Sequence, residues 1–67
     1  MKEKEPPRIS LAAARVNAGL TQEEAARRIG ISFRTVIRYE KGRAKPSAAM
    51  LERMAAAYGF PPEYIRL

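Results

Sequence analysis

The sequence predicts a compact all-α bundle of four to five short helices. Three observations predict it. Apolar residues recur at helical spacing in several short segments, each with a charged opposite face. Ser, Thr and Gly stand at the ends of those segments, where helix caps belong. A chain of 67 residues without cysteine must hold one domain on a small core, and helices packed on helices are an efficient way to do so.

Residues 1–8 are charged and contain Pro6-Pro7, which predicts an extended arm ahead of the folded part, 9–67. Lys2 and Lys4 alternate with Glu3 and Glu5, so the arm reads as a plain tail rather than a basic strap. A first helix is expected over 9–18, capped by Ser10, with Ile9, Ala12 and Val16 inward and Asn17-Ala18-Gly19 ending it.

Residues 20–42 read as two short helices meeting at a tight turn. Thr21 and Glu24 form a capping box: the hydroxyl can accept from the Glu24 amide, and the carboxylate can reach back to the Thr21 amide. Ala25, Ala26 and Ile29 then share one face, and two adjacent alanines suggest close approach by another helix. Gly30 can take positive φ and turn the chain, Ile31 plugs the corner, and Ser32 caps the next helix. Within that helix Val36 and Tyr39 face inward. At about 100° per residue, Arg34, Ile37, Arg38 and Lys41 fall on the opposite side. Gly42 ends it.

Pro46 holds Lys45 extended, and Ser47 can cap a fourth helix whose inward stripe is Met50, Leu51, Met54, Ala55 and Tyr58. Glu52, Arg53 and Ala56 lie away from that stripe. Gly59 ends the helix, and Pro61-Pro62 can begin a short fifth one holding Glu63, Tyr64 and Ile65. Tyr64, Ile65 and Leu67, with Phe60, are apolar enough either to close the core or to form a dimer interface.

An outward face of two arginines, a lysine and an isoleucine, flanked by Phe33, suits a DNA groove. Arginine matches guanine edges bidentately, and an apolar side chain can meet a thymine methyl. The alternative is an ordinary charged surface with two exposed hydrophobes. Composition favours a polyanionic partner: thirteen Lys and Arg against seven Asp and Glu give a net charge of +6 and a pI near 10.3. From Arg34 to Lys45 the cations are Arg34, Arg38, Lys41, Arg43 and Lys45, and only Glu40 opposes them. Arg43 and Lys45 sit where phosphate contacts would hold register without reading sequence; otherwise they form a solvated basic loop.

Together these features resemble the helix-turn-helix of the phage repressor and Cro class, the Xre family, over residues 9–65. Thr21-Gln22-Glu23-Glu24-x-Ala26, the Gly30 turn with Ile31, the core positions Val36 and Tyr39, and Tyr39-Glu40-Lys41-Gly42 carry the likeness together. Ala12 and Ala25 depart from it, standing where the family usually has leucines. The resemblance implies a lambda-repressor-like DNA-binding domain, with Phe33, Arg34 and Arg38 at base-contacting positions and Thr35 near the groove wall. It also implies that Gln22 contacts the DNA backbone and braces the next helix, and that Lys41, Arg43 and Lys45 flank the site on phosphates. Arg15 matches a family arginine that pairs with the glutamate late in the recognition helix, here Glu40. A salt bridge explains an acid in that positive run better than a DNA contact does.

The expected function is a sequence-specific regulator of transcription, most simply a repressor, reading double-stranded DNA with the helix over 32–41. Two symmetric modules about one helical turn apart would read a palindromic operator, so a homodimer is expected. The alternative is an antitoxin-type protein that masks a toxin partner and binds its own promoter. An enzyme is not expected: no nucleophile-base pair, metal-ligand cluster or phosphate-cradling loop is visible, and no cofactor is implied. Without cysteine or histidine, disulfides, Cys or His metal sites and histidine acid-base chemistry are excluded. No stretch of about 20 apolar residues or signal-peptide core occurs, so a cytoplasmic location without membrane partners is expected. Since the sequence ends with the bundle, no ligand-sensing or self-cleaving domain is expected, and control would come from abundance, degradation or a partner.

Overall fold

Ser10, Thr21, Ser32 and Ser47 each open an α-helix, with the side-chain oxygen accepting from the amide three residues on at 3.0, 3.0, 3.1 and 3.1 Å. The helices, in a computed structural model that describes residues 8–67, are α1 (Leu11–Asn17), α2 (Gln22–Ile29), α3 (Phe33–Glu40) and α4 (Ala48–Tyr58). Residues 1–7, and with them nearly all of the arm expected at 1–8, lie outside the described residues. The all-α bundle expected from the sequence is the observed architecture.

Two short extended pieces complete it. Ile9–Ser10 (β1) pairs in parallel with Ile65–Arg66 (β2), Ile9 opposite Ile65 and Ser10 opposite Arg66. The bridge ties the two ends of the domain together. Between α4 and β2 the fifth helix expected around Glu63, Tyr64 and Ile65 is a single 3-10 turn, Pro62–Tyr64. Ile65 leaves that turn to enter β2, where burial against the core and pairing with β1 hold it extended.

The expected phase of α1 is corrected by the structure. Ser10 caps the helix, so Ile9 lies before it in β1 and cannot begin a helical stripe. Leu11 and Ala14 are the buried residues of α1, Ala12 is half-buried, Ile9 packs against the core from β1, and Val16, expected inward, is 63% exposed.

The core gathers Leu11 and Ala14 of α1, Ala25 and Ile29 of α2, Met54, Ala55 and Tyr58 of α4, and Ile65. Val36 of α3 is fully buried as well. Ala14 and Ala25 are also sealed from solvent, and such small side chains let the helix backbones come close. Ile9, Leu20, Ile31, Tyr39, Met50, Leu51 and Phe60 pack around this centre. Phe60 and Ile65 thereby help to close the core, whereas Leu67 remains exposed.

One core group is left without a partner: the Tyr58 hydroxyl is buried and makes no hydrogen bond among the described residues. Burial, with the nearby Glu40 charge adding to it, pushes this phenol up to about 12. Phenylalanine keeps the ring and removes the orphaned hydroxyl. Tyr58→Phe is therefore expected to leave stability within about 1 kcal/mol of the parent, or to raise it. Because the folded pKa lies above the unfolded value, this group's contribution is intact below pH 10 and is lost as pH rises through 12. Thermal denaturation across the alkaline range checks both points, and the variant should lose less stability there than the parent.

Candidate nucleic-acid interface

The interface is built on α3, and α3 is aimed by the corner before it. Gly30 closes α2 at φ +88, and the Gly30 and Ile31 amides both donate to the Ala26 carbonyl, at 2.8 and 3.0 Å. Ser32 then caps α3, and its Oγ lies 2.8 Å from Thr35 Oγ1 as well. The chain thus turns from α2 into α3 within three residues, Gly30 to Ser32.

At the far end of α3 the chain closes with equal economy. Gly42, at φ +75, donates its amide to the Tyr39 carbonyl at 3.2 Å, and the Arg43 amide donates to the Arg38 carbonyl at 2.9 Å. This pair of bonds is a Schellman motif. It anchors Arg43 to the turn that carries Arg38.

Phe33, Arg34, Arg38 and Lys41 are exposed, with Phe33 at 44%, while Thr35 and Ile37 are half-buried between them. Arg43 and Lys45 are exposed on the following loop, and Pro46 behind them is buried. Arg34 and Arg38, four apart on one helix, lie on one face. The residues expected at base edges thus lie at the start and along the length of α3, and the expected phosphate contacts Lys41, Arg43 and Lys45 at its end.

Behind this face lies a hydrogen-bonded clamp centred on Glu40. Arg15 Nε donates to Glu40 Oε2 at 2.7 Å and Arg15 Nη2 to Glu40 Oε1 at 3.3 Å, with the two side chains only 14% and 6% exposed. Arg15 Nη1 donates to the Leu20 carbonyl at 2.9 Å, and Gln22 Nε2 donates to Glu40 Oε1 at 3.0 Å. One carboxylate therefore joins α1, the start of α2 and the end of α3. A buried bidentate Arg-carboxylate pair with a further donor has the geometry in which such groups are well satisfied.

The clamp has an electrostatic consequence. Glu40 is the one acid between Arg34 and Lys45, and its carboxylate is turned inward onto Arg15. The exposed charges on the outward surface of that stretch are therefore all positive. The capping box at the start of α2 is complete too: Glu24 Oε1 accepts from the Thr21 amide at 2.9 Å. That backbone hydrogen bond, then the Thr21 hydroxyl, holds the Glu24 carboxyl below the usual carboxylate range, with smaller help from Arg27 and Arg28. Gln22 is thereby fixed at the first residue of α2, within reach of Glu40.

Among the described residues, no three His, Cys, Asp or Glu side chains gather as ligands for a metal, and no helix is long and apolar enough to cross a membrane.

Residues 11–65 match the family model described as Helix-turn-helix. An HTH-type transcriptional regulator of Methanothermobacter thermautotrophicus is 49% identical over 45 residues, covering 67% of this chain and 65% of that protein. A transcriptional regulator in the ATPase CF(0) region of Rhodospirillum rubrum is 47% identical over 45 residues, 67% of this chain and 42% of that protein. The cryptic phage CTXphi transcriptional repressor RstR of Vibrio cholerae is 43% identical over 47 residues, 70% of this chain and 42% of that protein. The matched region thus spans between 42% and 65% of these three relatives' lengths.

Proposed function

The chain belongs to the helix-turn-helix family of transcriptional regulators, and on that premise we propose that it binds specific double-stranded DNA in the major groove and represses transcription by occupying an operator. The observation that carries this reading is the unopposed positive face of α3, from which the one local carboxylate has been withdrawn into the Arg15–Glu40 clamp.

In this reading Phe33, Arg34 and Arg38 meet base edges. The guanidinium groups pair with guanine O6 and N7, and the Phe33 ring offers apolar contact to a thymine methyl. Thr35 lies at the groove wall. Gln22 reaches the backbone from the start of α2, while Lys41, Arg43 and Lys45 hold phosphates beyond the end of α3. The Arg15–Glu40 pair serves as scaffold, holding α2 and α3 in the relation the groove requires.

Methylation interference tests the groove assignment. If Arg34 and Arg38 read guanine N7, methylating that atom within the bound site should block binding. Interference confined to adenine N3, in the minor groove, would count against the assignment.

Phosphate contacts have their own signature, because each one releases counterions. Arg43→Ala is expected to weaken binding to all duplexes alike and to reduce the slope of log K against log salt by about one. Titrations at several salt concentrations check this. A change in sequence preference in that variant would place Arg43 at a base instead.

One module makes few base contacts, so the reading includes a homodimer on a palindromic site, with half-sites about one helical turn apart. Sedimentation velocity with and without DNA decides this. A single protomer bound per duplex at saturation would remove the dimer.

A further inference from the structure

Arg53 points away from the apolar stripe of α4, yet its side chain folds back across the fold. Its Nη2 donates to the carbonyl of Ile29, the last residue of α2. A helix C-terminus leaves carbonyls without intrahelical donors, and a cation there also complements the helix dipole. The corner's own amides, Gly30 and Ile31, are both spent on Ala26. The Ile29 carbonyl therefore takes its donor from another helix.

Gly30 lies directly beneath this guanidinium. A Cβ at that position would stand 3.1 Å from Arg53 Nη2, so the guanidinium would have to give by a few tenths of an ångström, in addition to the strain that positive φ puts on any other residue. The corner that aims α3 is thus held from outside by a residue of α4.

We propose that Arg53 is a positioning residue for the recognition helix, clasping the α2–α3 corner from α4 through the Ile29 carbonyl. The proposal rests on the DNA-binding reading for its functional half and on the corner geometry for its structural half. Arg53 contacts neither Glu40 nor the outward residues of α3 in the hydrogen-bond network, so its removal should loosen the aim of α3 and leave its face intact.

Two variants and two measurements test this. Arg53→Met keeps the apolar stem without donor or charge, and Arg53→Lys keeps charge and one donor group. In Arg53→Met, hydrogen exchange at the Gly30 and Ile31 amides should quicken about five- to tenfold, with helical amides of α1 changing less than about twofold. Its affinity for the preferred duplex should fall about five- to tenfold and that for a random duplex less than about twofold, at an unchanged salt slope. Arg53→Lys should recover part of both effects.

Equal quickening of exchange throughout the chain would overturn the clasp. Equal loss on preferred and random duplexes, with a slope reduced by about one, would make Arg53 a phosphate contact and overturn the positioning role. A parent protein that prefers no duplex would remove the DNA-binding reading and the positioning role with it. The exchange data would still decide the clasp.

Discussion

Glu40→Ala is expected to destabilise the fold by about 3 kcal/mol, because it leaves the Arg15 guanidinium buried without its counter-charge. Gln22 loses an acceptor in the same step. Stabilities near 0.05 to 0.15 kcal/mol per residue imply roughly 3 to 10 kcal/mol for a domain of this size, so such a loss is a large part of the whole. Urea denaturation at neutral pH measures it. DNA binding at a temperature where the variant is still folded should weaken too, since the carboxylate joins three elements and its loss frees the end of α3.

A double variant sharpens the argument. Replacing both partners by apolar residues of similar volume, Arg15→Met with Glu40→Leu, removes the uncompensated charge, and stability should recover much of what Glu40→Ala loses. A Glu40→Ala loss under about 1 kcal/mol would show the clamp to be as weak as an ordinary surface pair.

The second large effect falls on binding rather than on stability. Arg34→Ala and Arg38→Ala should each cost roughly 1 to 3 kcal/mol on the preferred duplex and relax selectivity at one base position. Both side chains are exposed, so the melting temperature should barely move. Affinity profiles over single-base variants of the duplex provide the check. If Arg34→Ala spared the preference while Arg43→Ala altered it, the division between base and phosphate contacts would be reversed.

What the sequence made legible was local. Capping signals span three residues, so Ser10, Thr21, Ser32 and Ser47 could be read as helix starts, and Gly30 as a left-handed turn, from neighbouring letters alone. The outward side of α3 follows from the helical period in the same way. What escaped depends on partners far along the chain. Ile9 is extended because it pairs with Ile65, and nothing near Ile9 announces this, so the helical stripe on α1 begins two residues later than periodicity alone suggests, at Leu11. The same pairing limits the segment after Pro61-Pro62 to one 3-10 turn. The clamp had no local signature either. A resemblance and the oddity of an acid in a basic run were the only pointers to Arg15 and Glu40. Arg53 reads from its helix position as a solvated cation, because periodicity fixes where a Cβ points and not where a long side chain ends.

The positive face of α3 either reads sequence or merely attracts polyanions. Selection of bound duplexes from a random pool, repeated at a low and a higher salt concentration, separates the two most directly. A face that reads sequence should yield a recurring palindromic motif that survives the higher salt. Enrichment of no motif, with binding that vanishes as salt rises, would contradict sequence readout and leave only the charge.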